Sequence, residues 1–188
     1  MSFSTPTSTS EFTLILAAHG SSKAAWNNRP LVQLAEQLQL ELPNSQIMAA
    51  FLDGTPDIRT IMDSTIHQDV LAIPFMTSQG YYSDVVFPKH LQSASKSVSF
   101  AQPIGHHDKL PELVHRRIQR YQQTICGSSQ VVVVGHGTKK NRKSCLTTID
   151  LVKSLRRLNP DLRIDFVFID QNPDLDWYVG QVDSENVL

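Results

Sequence analysis

Residues 12–22 read Phe-Thr-Leu-Ile-Leu-Ala-Ala-His-Gly-Ser-Ser, and residues 131–138 read Val-Val-Val-Val-Gly-His-Gly-Thr. In each, a continuous apolar run leads straight into a histidine and a glycine. Runs without polar alternation suit strands buried on both faces, as in a parallel sheet covered by helices. His136 follows His19 by 117 positions, and the same offset pairs Phe51 with Phe168, Asp53 with Asp170, Pro56 with Pro173 and Asp57 with Asp174. It also pairs Leu34 with Leu151, Leu38 with Leu155, Pro43 with Pro160 and Ile47 with Ile164, with no gap. So many matches in one register mark an internal repeat. Val187 and Leu188 correspond to Val70 and Leu71. The expected organisation is therefore a polar tail (1–12), a first α/β unit (13–126) and an incomplete second unit (127–188). On this reading the second repeat is truncated.

Working outward, further apolar runs lie at Ile47–Leu52, Val70–Phe75 and Ile164–Ile169. Between the runs, apolar residues recur at helical spacing. Leu31, Leu34, Ala35, Leu38 and Leu42 form one face after Pro30, and Ile58, Ile61, Met62, Thr65 and Ile66 a second. Leu110, Leu113, Val114, Ile118 and Tyr121 form a third around Pro111, and Leu151, Leu155 and Leu158 a fourth. Strand and helix alternate, so the class is α/β with right-handed crossovers.

Composition excludes several classes. The 188 residues carry 17 basic and 18 acidic side chains, a formal net charge of −1, which argues against a general nucleic-acid binder. An apolar content of 40% argues against disorder. No apolar run approaches the roughly 18 residues of a membrane helix, and the Ser/Thr-rich start lacks the basic and apolar regions of a signal peptide. Cys126 and Cys145 are too few for a disulfide framework. The expectation is a cytoplasmic protein without nucleic-acid or membrane partners.

In a parallel α/β sheet, ligands bind beyond the carboxyl ends of strands, where His19 and His136 stand. Each could instead do no more than hold a loop by a hydrogen bond. A strand ending in His-Gly is also similar to the site of histidine phosphatases. There an arginine directly before the histidine would grip phosphate; Ala18 and Gly135 occupy that place, which disfavours phosphotransfer.

Five stretches carry a closer likeness: Leu14–Ser22, Ala50–Asp57, Ile73–Pro88, Pro103–Leu113 and Val131–Lys143. In order and spacing they resemble the class II tetrapyrrole chelatases of the CbiX/SirB type, which insert cobalt(II) or iron(II) into sirohydrochlorin. The resemblance implies a flavodoxin-like, three-layer α/β sandwich. It implies metal insertion in cobalamin or siroheme biosynthesis, with a tetrapyrrole and a divalent metal as partners. Cobalt, iron or nickel would be substrate, with no permanent cofactor. Short members are homodimers, so self-association is expected. His19 matches the metal-handling histidine of the first unit and His136 its copy. The family usually has another histidine six residues before the proline that is Pro88; here that position is Tyr82, and a phenol is a poor metal ligand at neutral pH.

Neutral imidazole binds first-row divalent ions without the grip of thiolate, and it can accept a pyrrole proton at physiological pH. His106 and His107 are further metal-ligand candidates, whereas His67, His90 and His115 read as helix residues. The carboxylate-rich macrocycle calls for a cationic rim. Lys23 and Arg29 follow His19, and Lys139, Lys140, Arg142 and Lys143 follow His136. Ser21 and Ser22 complete the first loop. Gly80 is expected to turn the chain so that Tyr81 and Tyr82 stack on the macrocycle. Asp53, Asp57, Asp170 and Asp174 sit in repeated D-x-x-P-D patterns, which turn formation and helix capping explain. Trp26 and Trp177 are expected to cover the sheet or to lie loosely at the incomplete end. A tetrapyrrole- or metal-binding protein without turnover is the main alternative.

Overall fold

The computed structural model describes residues 11–124, 129–138, 142–181 and 186–187, which form two separate parallel sheets. The chain divides into two compact units. One takes the residues up to Met76 together with Tyr81–Gln102, and the other takes Thr77–Gly80 with the residues from Pro103 on.

In the first unit, β1 (Thr13–Ala18), β2 (Gln46–Phe51), β3 (Asp69–Pro74) and β4 (Ser97–Phe100) lie in the order β2-β1-β3-β4. Leu14 stands opposite Ile47 on one side and Leu71 on the other. Leu14 and Leu16 pack with Leu31 and Ala35 of helix α1 (Arg29–Glu41). Ile15 and Ala17 point the other way, among Ile58, Ile61, Phe87 and Leu91, the last two from helix α2 (Phe87–Leu91). Both faces of β1 are therefore dry, which is why its sequence shows no alternation. Each large aliphatic or aromatic side chain buried this way contributes about 1.5–3 kcal/mol. Pro30 opens α1 where an N–H would have no partner. The polar tail is shorter than expected, because Gln46 donates its N–H to the Phe12 carbonyl at 3.0 Å and Phe12 packs on the α1 side.

Two expectations need correction here. The spacing over Ile58–Ile66 yields only a 3-10 turn, Ile61–Ser64. The Phe51 N–H binds the Pro56 carbonyl and the Ile58 N–H binds the Phe51 carbonyl, both at 2.9 Å, so the segment hugs the end of β2 instead of coiling. Ile66 is consequently exposed and His67 lies in a loop rather than a helix. Strand β4 was not foreseen, being short, polar and at the sheet edge.

In the second unit, β5 (Ser129–Gly135), β6 (Arg163–Phe168) and β7 (Asn186–Val187) follow the order β6-β5-β7. The repeat is reproduced in the strand register. Val131 opposite Ile164 restates Leu14 opposite Ile47, and Gln130 opposite Val187 restates Thr13 opposite Val70. Helix α4 (Arg142–Leu158) stands where α1 does, and its Val152 and Leu155 pack with Val131, Ile164 and Ile118 of α3 (Leu110–Gln122). Helix α3 thus groups with the second sheet, whereas a boundary at 126 assigns it to the first unit. A final short helix, α5 (Leu175–Val179), starts at Asp174, whose side chain accepts from the Trp177 N–H at 3.1 Å as capping predicts. Trp26 and Trp177 are both largely exposed and cover neither sheet. Among the described residues, no helix is long and apolar enough to cross a membrane.

Candidate active site at the strand ends

In the first unit three carbonyls fix the end of β1: Ala17 accepts from the Phe75 N–H at 2.6 Å, Ala18 from Leu52 at 3.1 Å, and His19 from Asp53 at 2.8 Å. Gly20 then turns the chain with φ 76°. A Cβ there would meet the Asp53 carbonyl oxygen at 2.5 Å, so only glycine fits. His19 is left exposed on a rigid base, its Nδ1 3.0 Å from the Gly20 carbonyl oxygen. With Nδ1–H donating there, the Nε2 lone pair is open to a ligand. The imidazole meets Tyr82 edge-to-face, centroids 5.2 Å apart, and Tyr81 packs on Tyr82 at 5.9 Å. Ser22 donates from both its hydroxyl and its N–H to the Asp53 carboxyl and holds it below the usual carboxylate range, with His19 and Lys23 adding to the effect. Ser21 serves the loop itself: its N–H donates to Asn28 Oδ1 at 2.9 Å and its hydroxyl accepts from the Ala24 N–H at 3.1 Å. Arg29 is exposed at the start of α1.

The second unit repeats this end. The His136 carbonyl accepts from the Asp170 N–H at 3.0 Å, and Gly137 has φ 71° against Phe168 and Gln171. Here Nδ1 of the exposed His136 lies 3.3 Å from the Asp170 carboxylate. Asp53 and Asp170 therefore neighbour the histidines instead of only shaping turns, a relation the sequence spacing did not reveal. Asp57 and Asp174 do serve turns; Asp57 accepts from the Arg59 N–H at 2.8 Å. Lys139 and Lys140 lie outside the described residues, as do the side chains of Arg142 and Lys143.

His106 and His107 belong to the second unit, at a cavity of about 500 Å³ shared with Gln79, Asp108, Thr147 and Asp150. His106 Nε2 accepts from the Gln79 N–H at 3.3 Å and lies 3.2 Å from the Thr147 hydroxyl; His107 Nδ1 accepts from the Lys109 N–H at 3.2 Å. One nitrogen of each ring is thus engaged in holding local chain. Gly80 has no positive φ, so the approach to Tyr81 does not depend on a left-handed residue. His115, as expected, is a helix residue, bonded to Asn159 at 2.8 Å. Among the described residues, no three His, Cys, Asp or Glu side chains converge on a point that could hold an ion.

The sequence profile of the family called CbiX matches residues 13–121, more than half of the chain. The chain belongs to the CbiX family. Halobacterium salinarum has a relative named a probable sirohydrochlorin cobaltochelatase, 20% identical over 201 residues, covering 93% of this chain and 69% of that protein. A Deinococcus radiodurans protein, described as multi-domain with structural similarity to chelatases, superimposes with TM-score 0.70 at 17% identity. That match covers 94% of this chain but only 43% of the other. A structure of CbiX, described as the terminal enzyme of siroheme biosynthesis in denitrifying bacteria, gives TM-score 0.68 at 18% identity, covering 87% and 71%. The parallel-sheet α/β architecture of CbiX proteins is therefore the architecture of this chain, and the residues matched by the profile include His19, Tyr82 and His106.

Proposed function

We propose that this CbiX-family chain inserts a divalent metal, cobalt or iron, into sirohydrochlorin. The observation that carries the reading is the exposed imidazole of His19, held on a rigid strand end with Nε2 open beside two tyrosine rings. Insertion requires two pyrrole protons to leave and the metal to shed water. An imidazole with one free lone pair can accept a proton or bind the ion transiently, and a single strong donor releases the ion where a closed four-ligand site would retain it. Tyr81 and Tyr82 would lie against the macrocycle, Ser22, Lys23 and Arg29 near its carboxylates, and His136 would act as the equivalent group of the second unit. Lys139, Lys140 and Arg142 would extend the cationic rim there, and the metal is substrate, not resident cofactor.

The name of the halobacterial relative favours cobalt among the candidate ions. Family membership favours turnover over binding alone, and Ala18 and Gly135 before the histidines disfavour phosphotransfer. The deciding experiment is anaerobic absorbance monitoring of sirohydrochlorin with cobalt, iron or nickel, corrected for spontaneous insertion. It should compare the native chain with His19→Ala and His136→Ala. Catalysed insertion that His19→Ala abolishes supports the reading; macrocycle binding without acceleration replaces it with a binding protein.

A further inference from the structure

We propose that Tyr82 is the positioning residue of the first unit: its ring fixes the orientation of the His19 imidazole. The inference rests on the chelatase reading for the reaction it serves and on geometry for the contact itself. Among the described residues, the hydrogen-bonded tether of the His19 ring is the Gly20 carbonyl, and one exposed hydrogen bond is a weak restraint on the ring's orientation. The second restraint is Tyr82, whose ring meets the imidazole at 88° with centroids 5.2 Å apart, the arrangement that aromatic quadrupoles favour. His136 has the Asp170 carboxylate, not a loop carbonyl, facing its Nδ1, so the two repeats hold equivalent histidines by different means.

Tyr82 is itself held firmly. It begins a π-helical turn, Tyr82–Val86, in which the Phe87 N–H reaches back to the Tyr82 carbonyl. The cause lies in the sequence. Pro88 has no N–H to continue an α-helical ladder and its ring would crowd the carbonyl of residue 84, so the turn before it widens. Phe87, fully buried in the core below, anchors that turn. Tyr81 packs against the Tyr82 ring at 64°. A phenol at this place restrains the imidazole without itself gripping the ion at neutral pH.

Two measurements test the proposal. In the free protein, the His19 ring resonances should move in Tyr82→Ala and stay close to native in Tyr82→Phe, which keeps the ring. In the insertion assay, Tyr82→Ala should lower kcat about tenfold or more, in addition to any rise in KM from the lost contact with the macrocycle, because a misaimed group costs rate, and Tyr82→Phe should restore kcat. Unmoved His19 resonances, an unchanged kcat, or a loss confined to KM would overturn it. A native chain that inserts no metal, yet whose His19 resonances still depend on the Tyr82 ring, removes the chelatase reading and leaves the positioning contact standing.

Discussion

His136 turns Nδ1 toward the Asp170 carboxylate at 3.3 Å, whereas His19, its counterpart 117 residues earlier, turns Nδ1 toward the Gly20 carbonyl at 3.0 Å. Both partners are acceptors facing Nδ1, so a neutral ring that carries its proton there keeps a lone pair on Nε2. Asparagine in place of Asp170 can instead donate its amide N–H to Nδ1 and drive the proton to Nε2. Nitrogen-15 NMR of the imidazole should show that tautomer change in Asp170→Asn, with the larger effect on any activity of the second unit. The same tautomer in native and mutant chains would contradict it.

The Asp53 carboxyl gives a pH-dependent prediction. Its ionised form is favoured in the folded chain, first by the Ser22 hydroxyl and N–H. A depressed folded pKa means stabilisation is present above the unfolded value near 3.9 and is lost as pH falls through the folded value. Ser22→Ala should therefore raise the Asp53 carboxyl titration, followed by carbon-13 NMR, and shrink the acid-side loss of stability. A titration that does not move in Ser22→Ala assigns the shift to another cause.

At Gly20 any side chain must accept φ 76° and a Cβ inside the Asp53 carbonyl and the Phe51 ring. Gly20→Ala should destabilise the chain by more than about 1 kcal/mol, read from the urea midpoint, and should also displace the His19 end of β1. Gly137→Ala is expected to behave alike, its Cβ falling 2.7 Å from Gln171 Cγ and 2.9 Å from Phe168 Cβ.

A polar link distinguishes the second unit. Tyr178 donates its hydroxyl to Asp165 at 2.8 Å and accepts from the buried Gln130 amide at 2.9 Å, where the offset places Ile61 and Met48 in the first unit. Tyr178→Phe leaves the Gln130 amide without that acceptor and should cost about 1–2 kcal/mol. Burial, and then the hydrogen bond to Asp165, push the phenol above its ordinary value near 10. Its contribution is accordingly present below that pH and fades as pH rises through the folded value. Ultraviolet titration should find one late-ionising tyrosine that Tyr178→Phe removes.

Much of this arrangement is legible in the sequence because strand ends leave strict marks. Histidine, glycine, phenylalanine, aspartate and proline recur at one offset since each is fixed by a bond or a clash that both sheets repeat, such as Phe51 N–H to Pro56 and Phe168 N–H to Pro173. What was misread lacked such marks. The apolar spacing of Ile58–Ile66 reflects a loop pinned to β2, a tertiary bond that overrides periodicity. Strand β4, with one half-buried Val98 among exposed residues, has no buried pattern to display. The engagement of His106 by Gln79 joins positions 27 apart and has no local signal. The edge-to-face contact of Tyr82 with His19 was equally hidden, because it depends on a widened helical turn.

Along β1, positions 13–17 are buried, Ala18 is half-buried, and His19 is exposed. Substitutions inside that stretch tax folding, while those one or two positions beyond it alter chemistry on an unchanged platform. A lineage carrying this sheet is thereby free to alter a few mouth residues without renegotiating its interior.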